Sequence, residues 1–249
     1  MNNPKIQHDL IIVIPCYNEE NRLPINQFKQ FLDTISDVLL FFVNDGSSDK
    51  TDDVIEKLAT LYPKKVKLLS LKQNVGKASA VKAGFNFCEK NISFSKIAYL
   101  DADLATTLEE CHVISNKINA TIQFAFGSRI AKIDTNIQRK QHRFFIGRFI
   151  ATLISKQLDL KVYDTQCGCK VFSKQLAANV FKEDFISKWL FDVEIFHRLI
   201  YIFKKENIKN IAREIPLKSW IDADDSRVKM TYFFKLWFDL LSIKKRYKS

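Results

Sequence analysis

Two aspartates one residue apart, Asp101-Ala102-Asp103, directly follow an apolar stretch at residues 96–100. Carboxylates this close repel each other unless a cation stands between or beside them. Hard divalent ions such as Mg2+ and Mn2+ take carboxylate oxygens and share their remaining positions with phosphate oxygens. A helix N-terminus also favours acids, which accounts for one aspartate more easily than for two. The pair therefore reads as a protein's share of a metal–diphosphate site, where the ion offsets charge on a departing nucleoside diphosphate. Three further polar clusters follow apolar runs: Pro15-Cys16-Tyr17-Asn18-Glu19-Glu20, Asn44-Asp45-Gly46-Ser47-Ser48-Asp49 and Asn74-Val75-Gly76-Lys77. Asp-Gly-Ser alone is ordinary turn chemistry, but four such ends in succession suggest one composite site. Asn74 to Lys77 opens a helical pattern, where free backbone N–H groups and a lysine suit an anion. The full Walker pattern is missing, so ATPase activity is not indicated.

The elements that must position these residues alternate. Short β-branched and aromatic runs predict strands at 10–14, 38–43, 66–71, 96–100 and 121–126, and helices are predicted at 23–35, 51–61, 76–90, 108–118 and 140–157. Such alternation implies an α/β fold, a mostly parallel sheet flanked by helices. Ligands bind such sheets beyond the carboxyl ends of the strands, where all four clusters fall. Ser48 and Thr107 are expected helix N-caps. Beyond residue 168 the pattern predicts strands at 169–172 and 208–215, and helices at 174–181, 191–203 and 232–246.

With 249 residues, 47% of them hydrophobic and few Gly or Pro, the chain suits a single ordered α/β domain. Residues 1–9 are polar and no apolar run reaches 18 residues, so neither a signal peptide nor a spanning helix is expected. Five scattered cysteines, with Cys167-Gly168-Cys169 lacking a second pair, read as reduced thiols rather than a zinc site. The 39 Lys and Arg against 28 Asp and Glu give a charge of +11, concentrated in the second half. Seven basic residues and one acid lie between Arg227 and Ser249. Residues 144–157 place Arg148, Thr152, Ser155 and Lys156 on one helical face, and 231–246 place Thr231, Lys235, Asp239 and Ser242 on another, each beside a broad apolar face. Basic amphipathic helices of this type lie on membrane surfaces, unless their apolar faces pack on the domain or a partner. A nucleic-acid-binding protein would share the charge, but four acidic strand ends would repel a phosphate backbone and no recognition motif is present, so no nucleic acid partner is expected.

The four clusters, in this order, resemble the signatures of family 2 inverting glycosyltransferases with the GT-A fold. Asp164-Thr165-Gln166-Cys167-Gly168-Cys169-Lys170-Val171-Phe172, Trp189-Leu190-Phe191-Asp192-Val193-Glu194 and Ile215-Pro216-Leu217-Lys218-Ser219-Trp220 are similar to the dolichyl-phosphate β-glucosyltransferase branch. The resemblance spans roughly residues 8–246 and implies the following roles. Pro15, Tyr17 and Glu19 floor a nucleotide pocket, with Asp45 at the base edge and Lys77 nearby. Asp101 lies near ribose or metal, Asp103 ligates Mg2+ or Mn2+, and Arg129 and Gln166 approach the diphosphate or sugar. Asn44, Ala105 and Cys169 depart from the pattern, standing where many members have Asp, where related mannosyl-phosphate synthases have Gln, and where this branch has an aromatic residue. The implied donor is UDP-glucose and the implied acceptor a polyprenyl phosphate. Residues 8–130 would form the nucleotide-sugar half, 131–226 the acceptor half and 227–249 a basic tail. A sugar-hydroxyl acceptor, as in surface-polysaccharide synthesis, would need a base, for which Asp192 or Glu194 are candidates. A polyprenyl phosphate is already anionic and would need positioning by Arg139, Arg143, Lys170 and Arg129, with Asp192 and Glu194 then orienting the sugar. The expected location is peripheral, on the cytoplasmic face of a membrane.

Overall fold

A computed structural model describes the backbone of residues 7–138, 141–221 and 232–247, and the side chains of all of these except 7, 141–146 and 232–235. Strands β1 (Gln7–Cys16), β2 (Val38–Asn44), β3 (Val66–Ser70) and β4 (Ser93–Leu100) are joined by helices α1 (Ile25–Thr34), α2 (Thr51–Leu61) and α3 (Lys77–Asn91). After α4 (Leu108–Ser115) come β5 (Phe124–Ser128), a short β6 (Asn136–Gln138), α5 (Gln141–Leu158), β7 (Cys169–Ser173), α6 (Lys174–Val180) and α7 (Phe191–Phe203). The chain continues through α8 (Ile208–Ile211), β8 (Ala212–Pro216) and β9 (Ser219–Ile221) to α9 (Tyr232–Arg246).

Seven strands form one sheet in the order β3-β2-β1-β4-β7-β5-β8, all parallel except β7, which runs against both β4 and β5. The period-two alternation of each strand explains why the sheet carries two cores. Ile11, Val13, Leu39, Phe41 and Tyr99 point to the face covered by α3, α6, α7 and α9. Leu10, Ile12, Ile14, Leu40, Phe42 and Leu100 point to the face covered by α1, α2 and α4. Every residue of β2 is buried, as its unbroken apolar run requires of a central strand. Helix α3 sits close to the sheet because Gly84 has no side chain. A Cβ there would fall 2.6 Å from Val13.

The structure departs from the sequence expectation in three places and meets it in a fourth. Residues 208–211 form a helical turn, so the last strand starts at Ala212 rather than at 208. The β6–β9 pair, three residues a side, is too short to leave a periodic signal. Thr107 does cap α4, accepting the Glu110 N–H. Ser48 does not cap α2: its N–H is donated to Asn18, and Asp49 takes the Thr51 N–H.

Candidate active site

The cleft is built from the loops after β1 and β2, which are sewn together side chain to backbone. Asn18, in the left-handed region at φ 51°, accepts from the Ser48 N–H and donates its own N–H to Ser47. Glu19 donates its N–H to Thr51, and Glu20 donates to Asp49. Asn44 is buried at the end of β2 and accepts from both the N–H and the hydroxyl of Ser47. Gly46 follows at φ 64°, where a Cβ would collide with the backbone of Gln73 at 2.3 Å. Asp45 then turns toward α3, accepting from the Val75 and Gly76 N–H groups at 2.8 and 2.9 Å. Burial raises its carboxyl above the ordinary value, while these two N–H groups and the Lys188 charge oppose the rise.

At the end of β4, the Asp101 carboxylate pairs with the Lys77 ammonium at 2.5 Å. Burial alone would lower that ammonium, but the Asp101 and then the Asp192 charges outweigh it and hold Lys77 above its ordinary value. Asp101 is seated by the loop before β7. Its N–H donates to the Gly168 carbonyl at 3.1 Å, and a Cβ on Gly168 would lie 2.0 Å from its Oδ2. Asp103 reaches solvent at the cleft mouth and accepts the Ala105 N–H. Desolvation between the cleft walls, then the neighbouring Asp101 charge, holds its carboxyl above the ordinary range. The next residue, Leu104, sits at φ 50°, a conformation costly for a branched side chain and kept here because that side chain is buried.

The opposite wall comes from the end of β5, from β9 and from the loop before β7. Asp164 holds Arg129 by three bonds, 2.6 Å to Nε, 2.8 Å to Nη2 and 3.1 Å to its backbone N–H, and Arg129 lies over the Trp220 ring. Asp164 is itself fixed where Glu214 accepts its N–H and that of Tyr163. Together these parts enclose a cleft of about 600 Å³. Pro15, Tyr17 and Glu19 line it from β1, Asp45 from β2, Lys77 from α3, and Asp101 and Asp103 from β4. Arg129 and Gln166 line it from the far side. Such a volume, apolar with a few convergent charges, suits a nucleotide-sized ligand.

Residues 11–181 match the glycosyl transferase family 2 pattern. The chain belongs to that family. The transferase is 30% identical over 247 residues to a dolichyl-phosphate beta-glucosyltransferase of Trichomonas vaginalis, covering 94% of this chain and 72% of the relative. It is also 30% identical to the dolichyl-phosphate beta-glucosyltransferase of Homo sapiens, covering 96% of this chain and 75% of the relative. Its fold is that of glucosyl-3-phosphoglycerate synthase from Mycobacterium tuberculosis, a structure holding Mn2+, UDP and glucosyl-3-phosphoglycerate. There the TM-score is 0.66 at 16% identity, covering 96% of this chain and 80% of that one. Mannosyl-3-phosphoglycerate synthase from Rubrobacter xylanophilus gives a TM-score of 0.69 at 13% identity, over 96% and 73% of the two chains. The GT-A expectation for this α/β fold is thereby met.

Several candidate residues of the transferase lie elsewhere than the sequence suggested. Lys170, expected at an acceptor phosphate, is fully buried, donating to the Cys167 carbonyl at 2.9 Å and to Asp192. Asp192 is 5% exposed and accepts from the Tyr99 hydroxyl as well. Glu194 is fully buried on the far side of α7, accepting from the Ile186 N–H, the Arg198 guanidinium and the Tyr247 hydroxyl. Neither carboxylate lines the cleft, so neither presents an oxygen to an acceptor hydroxyl. Arg139 lies outside the described residues, and Arg143 lies in α5 with its side chain outside them. Conversely, Arg22, Lys188, Trp189 and Trp220 line the cleft without having been singled out for it. Trp189 and Phe191 look alike as helix-core aromatics in the sequence, yet Trp189 is 43% exposed and Phe191 is buried. The first falls before the helix begins.

The donor set fits a divalent cation bound partly by substrate. Among the described residues no group of three or more His, Cys, Asp or Glu converges to cage a metal. Asp101 and Asp103 offer two hard carboxylates, and desolvation followed by the Asp101 charge already raises Asp103. Mg2+ and similar ions are commonly held in this way, by one or two carboxylates with phosphate and water completing the shell.

Proposed function

We propose that this transferase moves glucose from UDP-glucose, with Mg2+ or Mn2+, to a polyprenyl phosphate such as dolichyl phosphate. The observation that carries this reading is the occupancy of Asp192 and Glu194. With both tied into buried networks, the described cleft offers no base where the sequence had one for a sugar hydroxyl. An acceptor that arrives as an anion needs none. Relatives named as dolichyl-phosphate beta-glucosyltransferases over nearly the whole chain point the same way.

In this reading Pro15, Tyr17 and Glu19 floor the nucleotide, and the Asp45 turn presents the base edge. A bound divalent ion would be held by Asp103 and Asp101 and would neutralise charge on the leaving diphosphate. Lys77 pairs with Asp101 and aims its carboxylate. Arg129, held over the Trp220 ring by Asp164, and Gln166 orient phosphate and sugar from the opposite wall, while Arg139 and Arg143 approach the acceptor phosphate. Residues 8–130 thus serve the donor and 131–226 the acceptor.

The enzyme works in this reading at the cytoplasmic face of a membrane, where a nucleotide sugar and a lipid phosphate meet. No helix among the described residues is long and apolar enough to cross a bilayer. Surface attachment is supported by α9, whose Leu236, Leu240 and Ile243 pack inward while Trp237, Phe238 and Leu241 stand exposed. Helix α5 supports it less. Its Arg148 lies over the Tyr163 ring at 3.7 Å, and its Ser155 donates to the Leu160 carbonyl.

The deciding assay supplies a short polyprenyl phosphate, Mn2+ or Mg2+, and either UDP-glucose or GDP-mannose, following nucleoside diphosphate release and solvent-extractable product. UDP-glucose turnover with a lipid product is expected. Turnover with GDP-mannose well above that with UDP-glucose rejects the donor, and a product that stays in water rejects the acceptor.

A further inference from the structure

Three buried groups beneath the cleft floor, Tyr99, Lys170 and Asp192, form a connected set with Lys77 of the cleft wall. Tyr99 and Lys170 are cross-strand partners in the β4–β7 ladder, so their side chains rise together toward α7. Asp192, in the first turn of α7, receives both the Tyr99 hydroxyl and the Lys170 ammonium. Above them the Lys77 ammonium stands 5.9 Å from the Tyr99 ring centre and 5.7 Å from that of Phe191. Both sides of Asp101 are thereby tied to one ion pair. On one side the Asp192 charge and the two rings hold Lys77, which grips the Asp101 carboxylate. On the other, Lys170 anchors the Cys167 carbonyl, one residue before the Gly168 that takes the Asp101 N–H and leaves room for its side chain.

We infer that Lys170 and Asp192 are positioning residues: their buried ion pair sets the place of the Asp101 carboxylate from both sides and so tunes metal-dependent donor binding. This rests on the nucleotide-sugar reading above, but it assigns the pair neither to the acceptor nor to proton transfer. A plain stabilising role is the alternative. Removing one partner of such a pair strands the other charge, whereas replacing both by apolar residues often leaves stability intact. That asymmetry separates the two roles.

The test compares wild type with Lys170→Met/Asp192→Leu and with Asp192→Asn, measuring melting temperature and UDP binding by calorimetry, in saturating Mn2+ and in EDTA. The double variant is expected to melt close to wild type yet bind UDP about tenfold or more weakly in Mn2+, the usual scale for groups behind a metal's own ligands. In EDTA, where the base pocket alone holds UDP, the three proteins are expected to bind alike, a pattern that a general loss of structure would not give. Asp192→Asn keeps the shape and an acceptor oxygen, and is expected to show the same Mn2+-dependent loss. A folded variant that binds UDP in Mn2+ as wild type does overturns the inference. So does unfolding of both variants, which would assign the pair to stability alone. A wild type that binds GDP in place of UDP rejects the donor reading instead, and the same comparison then runs with GDP.

Discussion

Asp103 and Asn44 illustrate how differently two polar residues at strand ends behave. Asp103 reaches solvent and accepts the Ala105 N–H. Its change to alanine is expected to leave the melting temperature near wild type and to slow transfer roughly a thousandfold or more, about 4 kcal/mol of barrier. Activity within tenfold of wild type, followed by nucleoside diphosphate release, would remove Asp103 from the metal site. Asn44→Ala is expected to act the other way round. It strips Ser47 of an acceptor for two donors in a half-buried turn, costing about 1–3 kcal/mol in a urea melt. Gly168→Ala tests the seat of Asp101, because its Cβ would occupy the space of Oδ2. Loss of metal-dependent UDP binding in a folded protein is expected, and unchanged binding would show that Asp101 can move without consequence. The residues that chemistry demands in a fixed order, from Pro15 to Asp103, were legible in the sequence and converge on one cleft. Lys170, Asp192 and Glu194 were not, because their polarity is identical whether a side chain faces a ligand or a buried partner. Only the β4–β7 register and the packing of α7 decide that.

At the scale of elements, long periodic segments were read well. Helices α2, α7 and α9 span the residues expected of them, since their apolar spacing is sustained over several turns. The insertion of β7 between β4 and β5 has no local signal, and the orientation of a strand cannot be read from its own residues. Helix α9 carries two apolar faces, and the sequence could not say which one the domain covers. The structure yields a paired prediction. Leu240→Ala is expected to destabilise by about 2–5 kcal/mol, as for a buried leucine. Trp237→Ser with Phe238→Ser is expected to leave stability within about 0.5 kcal/mol of wild type, while abolishing flotation with anionic liposomes. If the exposed pair can be replaced and flotation persists at low salt, α9 is not the membrane-facing surface.

Across the whole molecule, α5, α7 and α9 are locked together around His197. The Gln157 amide nitrogen donates to the Leu240 carbonyl, so it also donates to His197 Nε2, which must then be unprotonated. Burial and then the Lys244 charge push this imidazole down to about 4. The unfolded chain therefore binds a proton below its ordinary value near 6.5 that the folded chain refuses. Stability from this group is complete above about 6.5 and is lost as pH falls from there toward 4. The full loss is on the order of 3 kcal/mol, and His197→Gln is expected to flatten the fall in melting temperature between pH 7 and pH 5. A slope unchanged by that substitution would place the acid sensitivity elsewhere. The antiparallel β7 has one more consequence, for a chain emerging from the ribosome. Tyr17, Asp45, Lys77 and Asp101 are synthesised long before Gly168 and Lys170, and until β7 arrives β4 presents an open edge. A half-made chain thus holds every donor-side motif and no seat for Asp101. Metal-dependent donor capture is expected to switch on only once β7 has left the ribosome and paired with β4, as UDP binding in Mn2+ by stalled chains of increasing length would show.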